Sequence, residues 1–192
     1  MNGNVLIAYS SRAGCTEEVA MKIKETLEKS SINTEIVKIN EKNQFKALMQ
    51  KDIAQFSGIL LGSSIMAGKF HKNINKLLAT LESASNHDKK LGFFICCMKA
   101  CDPEKIAEAK SEYIEPYLNK YNLKFSLIDA FGGKLDFSPE STMNFATKAL
   151  LKRIMLKDNP EMERVEKKVY DFRDWKQIDN FASSWASIVS KS

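Results

Sequence analysis

Short apolar runs alternate with longer amphipathic stretches along the chain. The apolar runs predict five β-strands, at residues 5–8, 34–39, within 53–62, 91–97 and 125–131. The stretches between them have helical spacing and predict helices at about residues 14–30, 44–51, 71–84 and 103–121, with a last helix over 175–190. Five strands alternating with helices favour an α/β fold built on a doubly wound parallel sheet.

The first apolar run ends in a small polar loop that leads into a helix. The loop offers the hydroxyls of Ser10, Ser11 and Thr16, the guanidinium of Arg12, and Gly14. This order of strand, loop and helix directs backbone amides and the positive end of the helix dipole at one point, which suits a phosphate. The loop lacks the three glycines of the dinucleotide fingerprint and the Gly-Lys-Ser/Thr of a P-loop. An ordinary strand-to-helix turn, capped by Thr16, is the alternative.

Two later strand ends also lead into loops of unusual composition. The loop after the third strand runs from Gly62 to His71, and the loop after the fourth runs from Cys96 to Cys101. In doubly wound sheets, ligands bind beyond the carboxyl ends of the strands. One hydroxyl-rich loop beside two loops of small, soft and aromatic residues suits a ligand with a phosphate at one end and a flat ring at the other.

Composition narrows the functional class. The 192 residues are 44% hydrophobic, which is enough for one substantial core and favours a single domain over residues 1–192. There is no apolar run of membrane-spanning length and no signal-peptide pattern, so a cytoplasmic protein is expected. The formal charge of +5 is mild and its lysines alternate with acids, so nucleic-acid binding is not expected. Four cysteines are too few and too clustered for a disulfide framework, and they form no zinc or iron–sulfur pattern.

The loop sequences resemble a known family. Residues 9–17, with Ser11, Gly14 and Thr16 on the most characteristic positions, resemble the FMN phosphate loop of flavodoxins. The segments 62–65 and 68–71 are similar to those of the flavodoxin-like, quinone-linked protoporphyrinogen dehydrogenases, as are 131–135 and 170–175. Arg12 and Ala13 depart from the hydroxyl residues of ordinary flavodoxins, and the loop at 96–101 departs from the family segment that approaches the flavin.

The resemblance implies a flavodoxin-like, five-stranded parallel sheet of order 2-1-3-4-5, with helices on both faces. It implies FMN as cofactor, which would carry out the redox chemistry while the protein sets geometry and electrostatics. The implied cofactor contacts are Ser10, Ser11, Arg12, Ala13, Gly14, Cys15 and Thr16 at the phosphate, and Ser63, Ser64, Ile65, Met66, Ala67, Gly68, Lys69, Cys96, Cys97, Met98 and Lys99 around the flavin ring.

The resemblance leaves the reaction open. An FMN-dependent oxidoreductase of the protoporphyrinogen dehydrogenase type, using quinone, is the first interpretation. A non-enzymatic electron carrier, which exchanges electrons with a reductase or an iron–sulfur protein, is the second, and an FMN-free binding module is the third. No acid, base or nucleophile follows from the sequence as a catalytic residue.

Individual residues also have two interpretations. His71 either exchanges a proton near the flavin or starts the helix that follows it. A redox pair among Cys96, Cys97 and Cys101 is one interpretation, and small buried thiols at a strand end are the other interpretation for Cys96 and Cys97. Cys101 is also a candidate reactive thiol, because it precedes a helix. Cys15 is expected to serve packing or a backbone contact.

Residues 138–168 are an insertion relative to a minimal five-stranded flavodoxin. Within it, residues 144–157 predict a helix that carries Phe145, Ala149, Leu150, Ile154 and Leu156 beside a basic face. Packing of this helix on its own domain is the favoured interpretation. Peripheral contact with the inner face of a membrane that holds quinones is the alternative.

Overall fold

A parallel sheet of five strands forms the centre of the protein. The computed structural model describes residues 3–83, 89–141, 143–158 and 164–191. The strands of the sheet are β1 (Asn4–Ser10), β2 (Asn33–Lys38), β3 (Gly58–Ser64), β4 (Lys90–Cys96) and β5 (Phe125–Phe131). They pair in the order β2-β1-β3-β4-β5, and every pair is parallel. The predicted fold class and strand order are confirmed.

Seven helices accompany the strands in the described residues: α1 (Cys15–Lys29), α2 (Lys42–Met49), α3 (Lys72–Ser83), α4 (Ile106–Tyr113), α5 (Glu115–Lys120), α6 (Phe145–Asp158) and α7 (Trp175–Ser190). The prediction of one continuous helix over 103–121 is wrong, because the segment is divided into a 3₁₀ turn, α4 and α5. Pro116, in the first turn of α5, explains the division, since proline removes a backbone donor and clashes with the preceding turn. Residue 84, the predicted end of α3, lies outside the described residues.

The sheet is covered on both faces, which explains why its strands are continuous apolar runs. Leu6 and Ala8 of β1 face a core formed with α3, and Val5 and Ile7 face a core formed with α1 and α7. Trp185 of α7 is fully buried in the second core. A Cβ atom added at Gly58 or Gly92 would lie 2.9 Å from its ring, so these two positions must stay small.

The chain divides into two compact units, Met1–Gly133 with Arg173–Ser192, and Lys134–Phe172. The second unit contains α6 and an antiparallel pair of three-residue strands, β6 (Lys134–Asp136) and β7 (Val169–Asp171). The predicted insertion, 138–168, falls within the second unit, although residues 142 and 159–163 lie outside the described residues. The strand pair was not predicted, and the single-domain organisation stays a prediction.

Candidate functional site

The three loops singled out in the sequence begin side by side at the carboxyl edge of the sheet. Ser10 of β1 is opposite Ser63 of β3, and Ser64 is opposite Cys96 of β4. The N–H of Ile65 then donates to the carbonyl of Cys96 at 3.1 Å, which joins the loop after β3 to the end of β4. The edge on which ligands bind in doubly wound sheets is therefore where these loops meet.

The first loop presents hydroxyls that are buried but unused. Ser10, Ser11 and Thr16 are 0%, 3% and 0% exposed, and none of their hydroxyl oxygens makes a hydrogen bond. The Thr16 side chain lies beside the Cys96 thiol and acts to lower the pKa of that thiol. Buried polar side chains are normally satisfied, so three unsatisfied hydroxyls within seven residues indicate a missing polar partner.

The helix that follows the loop is open at its N-terminus. Its N-cap is Gly14, at φ 81°, and no side chain caps it. Thr16 does not cap this helix, so that part of the alternative is wrong, while the choice between an ordinary turn and a phosphate site stays open. The first amides of a helix have no carbonyl partner within the helix, so the start of α1 adds N–H groups and a positive dipole end beside the buried hydroxyls.

Arg12 adds a positive charge to the same loop. Its Nη1 donates to the carbonyl of Ser64 at 2.9 Å and to the Ser64 hydroxyl at 3.2 Å, which links the first loop to the second. Within the part of the chain that the structure describes, Arg12 forms no ion pair. Partial burial lowers the pKa of its guanidinium, which remains charged at neutral pH.

The carboxylates nearest to the loop are already compensated. Glu17 accepts from Lys38 at 2.7 Å and from the Tyr9 hydroxyl at 2.8 Å, and the bond to Lys38 is the main reason why its pKa is lowered. Glu18 lies 2.7 Å from Nη1 of the buried Arg173. The charge of Arg12 is thus left to attract an anion at the loop.

The second loop contains a tight turn that extends from the sheet edge. Met66 and Lys69 exchange backbone hydrogen bonds of 3.2 and 3.0 Å, while Ala67 and Gly68 take φ values of 49° and 71°. Positive φ at both central positions is the signature of a type I′ turn, which is unusual at an alanine. The turn leaves Met66 56% exposed.

Phe70 anchors the end of this turn. It is buried, and its ring centroid lies 5.0 Å from that of Phe93 and 4.2 Å from that of Tyr117. The exposed residues 66–69 are therefore presented from a fixed base.

The cysteines of the third loop are divided between the two faces of the sheet. Cys96 packs in the core beneath α1, and Cys97 packs in the core on the opposite face. A hydrogen bond with Cys15 and burial raise the pKa of Cys96, and burial raises the pKa of Cys97. Both thiols stay protonated at neutral pH, which makes them poor nucleophiles. Within the described residues, none of the four cysteines forms a disulfide bond, and redox activity of Cys101 stays a prediction.

Lys99 directs its ammonium group toward α4. The Nζ atom lies 2.6 Å from a carboxylate oxygen of Glu108, pairs with Glu112 as well, and lies 5.5 Å from the centroid of the Tyr113 ring. A cofactor contact at Lys99 stays a prediction, and it would have to use the backbone or displace these pairs. Met98, by contrast, is 40% exposed.

Asn40 is a site residue that the sequence analysis missed. Its side chain binds the backbone of Ser11 on both sides, accepting from the N–H at 3.0 Å and donating to the carbonyl at 2.5 Å. A signal was present, because Asn40 is the first polar residue after the apolar end of the second predicted strand.

His71 directly precedes α3, which begins one residue after the predicted helix start. Its Nδ1 accepts from the N–H of Asn73 at 3.3 Å, and its own N–H lies 3.4 Å from the hydroxyl of Ser63. Burial is the main cause that lowers the pKa of His71, and the charges of Arg12 and Lys72 lower it further. The imidazole is therefore neutral at physiological pH. A proton-transfer role stays a prediction.

Protonation of His71 is expected to destabilise the protein in mild acid. Its folded-state pKa lies below the usual 6.5, so the unfolded chain binds the proton more readily, and the free energy of unfolding falls as the pH drops from about 6.5 to the folded-state pKa. Charging the ring also removes the acceptor for Asn73. Denaturation of the wild type and of His71→Asn at about pH 7.5 and pH 5.5 checks this. The decrease should be larger for the wild type, and equal decreases would contradict the assignment.

Comparison with protein-family models identifies the fold's relatives. Residues 6–164 match the model of the Flavodoxin domain. The chain belongs to the flavodoxin domain family. The resemblance expected from the loop sequences is confirmed at this level. A curated relative of this flavodoxin-family protein is the protoporphyrinogen IX dehydrogenase [quinone] of Escherichia coli, which is 21% identical over 186 residues, covering 97% of this chain and 96% of the relative.

Solved structures show the same fold. Flavodoxin 2 from Bacillus cereus aligns at a TM-score of 0.52 and 19% identity, and the alignment covers 98% of each chain. A short-chain flavodoxin associated with a bacterial microcompartment aligns at a TM-score of 0.56 and 13% identity, over 97% of this chain and 98% of that flavodoxin. The rubredoxin oxygen:oxidoreductase of Desulfovibrio gigas aligns at 0.57 and 13% identity over 98% of this chain. This flavodoxin-family chain spans only 36% of that enzyme.

The described residues contain neither a metal-binding cluster nor a membrane-spanning helix. Within the described ranges, no group of three or more His, Cys, Asp or Glu side chains is arranged to hold a metal ion. In the same part of the chain, no helix combines the length and apolar character that crossing a bilayer requires.

Proposed function

We propose that this flavodoxin-family protein binds FMN at the carboxyl edge of its sheet and works as an FMN-dependent oxidoreductase. The observation that carries the proposal is the group of three buried hydroxyls, at Ser10, Ser11 and Thr16, that have no hydrogen-bond partner. They lie between β1 and an uncapped helix N-terminus, where a phosphate is the expected ligand.

The residues at this position fit a phosphate monoester. Hydroxyls and backbone amides donate to phosphate oxygens, and Arg12 supplies a positive charge that no carboxylate neutralises in the described residues. Gly14, at its positive φ, has only the flexible carboxylate end of Glu18 within 4 Å of a Cβ position, so the loop backbone is open to close approach. The donor set thus matches the doubly charged phosphate of FMN.

The ring of the cofactor would be held by the second and third loops, as the resemblance implies. FMN supplies the electron-transfer chemistry when bound. The chain's own contribution is to orient the ring between residues 63–69 and 96–99, and to limit water at its buried side. Ser64 and Cys96 fix the relative position of these loops through their paired strands.

The quinone-linked protoporphyrinogen dehydrogenase reaction is the proposed activity. It is supported by the E. coli relative, whose similarity extends over 97% of this chain. The test is oxidation of protoporphyrinogen IX by FMN-loaded protein with a soluble quinone as acceptor, with flavin-free protein as control. Quinone-dependent formation of the porphyrin is the expected result. Turnover that is equal with and without FMN would contradict the proposal.

An electron carrier is the second candidate function. The exposed side chains of Met66 and Met98, on the two loops assigned to the ring, favour it because soft apolar groups suit docking of a protein partner. A carrier would accept electrons from a reductase and pass them to an iron–sulfur protein, yet oxidise no porphyrinogen. Stopped-flow reduction of the bound flavin by a flavodoxin reductase, compared with the porphyrinogen assay, separates the two functions.

We also propose a cytoplasmic location with peripheral contact at the inner face of a membrane. In the second unit, one face of α6 packs against the unit's own core through Leu151 and Met155. Another part of the helix leaves Phe145 86% and Leu150 58% exposed, and residues 148, 152, 153 and 157 are basic. Exposed apolar groups among basic ones favour an anionic lipid surface. The side chain of Ile154 lies outside what the structure describes.

Flotation with vesicles tests this membrane contact. Wild-type protein is expected to float with anionic phosphatidylglycerol vesicles at low salt and to float less with neutral phosphatidylcholine vesicles. Phe145→Ser together with Leu150→Ser should weaken flotation without affecting the free energy of unfolding, because both side chains are exposed. Absence of lipid association by the wild type would overturn the contact.

A further inference from the structure

The side chain of Asn40, which follows β2, binds the backbone of the proposed phosphate loop, which follows β1. Asn40 lies two residues beyond β2, while Ser11 lies one residue beyond β1. Its Oδ1 accepts the Ser11 N–H at 3.0 Å, and its Nδ2 donates to the Ser11 carbonyl at 2.5 Å. Since the two partners are of opposite kind, the orientation of the amide group is fixed. The backbone of Ser11 is therefore clamped in both directions.

Asn40 is itself held from a third element. Asn73, in the first turn of α3, is 2% exposed, and its Nδ2 donates to the carbonyl of Ile39 at 2.7 Å and to that of Asn40 at 3.2 Å. The N–H of Ile39 donates to the carbonyl of Tyr9 at 2.8 Å, which ties the same segment to the end of β1. The side chain of Asn40 is thus supported by packed elements on two sides.

The two hydrogen bonds between Asn40 and Ser11 fix the direction of the donors in the loop. With its N–H and carbonyl engaged by Asn40, Ser11 keeps its buried hydroxyl without a partner, and the residues that follow lead directly to the uncapped start of α1. Both polar atoms of the Asn40 side chain bind the backbone of Ser11, so Asn40 acts on the loop through Ser11.

We propose that Asn40, supported by Asn73, is a positioning residue that sets the phosphate-binding geometry of the loop. The inference rests on the proposed FMN site and adds to it a residue from the β2 end of the sheet. It predicts a specific defect: loss of Asn40 weakens recognition of the phosphate and leaves recognition of the flavin ring nearly unchanged.

The experiment measures dissociation constants for FMN and for riboflavin, which lacks the phosphate. Asn40→Ala removes both bonds to Ser11. Asn40→Asp keeps the shape and the acceptor for the Ser11 N–H, but it loses the donor and adds a negative charge near the phosphate. The ratio of the riboflavin constant to the FMN constant should fall by about tenfold in Asn40→Ala and further in Asn40→Asp, because one lost hydrogen bond to such a site is typically equivalent to about a factor of ten. Riboflavin binding should stay within about threefold of the wild type.

Asn33→Ala is the matched control. Asn33 starts the same strand at its opposite end, where its side chain donates to Asn4 at 3.1 Å, so the ratio should match the wild type. Hydrogen exchange of the Ser11 amide, followed by NMR in flavin-free protein, gives a second readout. Exchange should be faster in Asn40→Ala than in Asn33→Ala, because the amide loses its acceptor.

The outcomes separate this inference from the proposed function. An unchanged ratio and unchanged exchange in both Asn40 variants would overturn the positioning role while FMN binding stands. An equal loss of FMN and riboflavin affinity would also overturn it, since it would show a general structural role. Failure of the wild type to bind FMN would overturn the proposed function. If Asn40→Ala does not fold, Asn40→Asp decides the matter, because it is isosteric with the natural residue.

Discussion

Removal of two buried hydroxyls, in S11A/T16V, is expected to weaken FMN binding by at least about 100-fold. Each hydroxyl is buried and lacks a hydrogen-bond partner, so each is available to a phosphate oxygen. A hydrogen bond to a charged group contributes about 1.5–3 kcal/mol, and each 1.4 kcal/mol is about tenfold in the dissociation constant. Titration of flavin fluorescence with the variant and the wild type measures the difference.

The same variant should not lose stability without flavin. Since the hydroxyls are buried and unsatisfied, their removal relieves a desolvation cost, and the free energy of unfolding is expected to stay the same or to rise by about 1 kcal/mol for each hydroxyl. S30A is the matched control, because the Ser30 hydroxyl lies exposed at the other end of α1. A variant that loses stability and keeps its FMN affinity would show that these hydroxyls serve the fold and not the ligand.

Replacing Trp185 by alanine is expected to cost about 3–5 kcal/mol of the free energy of unfolding. Trp185 is fully buried, and its ring fills the space that Gly58 and Gly92 leave in the neighbouring strands. Loss of the ring would leave a cavity between α7 and the sheet that the strands cannot close. Urea denaturation of the flavin-free protein measures the change.

Trp185→Phe is the control for cavity size. The buried indole N–H of Trp185 has no hydrogen-bond partner, so phenylalanine removes an unsatisfied donor and keeps most of the apolar ring. Its cost should be below about 2 kcal/mol. Similar losses in the two variants, or a loss below about 1 kcal/mol in Trp185→Ala, would contradict the packing described for this core.

The sheet was predictable from the sequence because its strands are buried on both faces. Strands such as residues 5–8 and 91–97 do not alternate between apolar and polar residues. They are continuous apolar runs, which can be recognised from the sequence alone. The strand pair β6 and β7 was missed because three residues are too few for a periodic signal. Pro116 is a sequence signal for a helix break, but apolar residues at helical spacing on both sides of the proline favoured one continuous helix.

The candidate site could be proposed from the sequence where one continuous segment carries it. Residues 10–16 contain hydroxyls, a glycine and a helix start in sequence, so local order was enough to propose a phosphate loop there. Asn40 and Asn73 act through backbone bonds between elements that are distant in the chain, and no local pattern reveals such pairs. Lys99 shows the reverse: its place in the third loop suggested a cofactor contact, while Glu108 and Glu112 of α4 engage its charge.

Binding of FMN and riboflavin by the purified flavin-free protein tests the central claim most directly. Isothermal titration should show one FMN per chain, with a dissociation constant lower than that for riboflavin by about 100-fold or more, because the phosphate satisfies the hydroxyls, the helix N-terminus and Arg12 together. Absence of saturable FMN binding would contradict the account and favour an FMN-free binding module. Equal affinity for the two flavins would show that the loop at residues 10–16 is not a phosphate site.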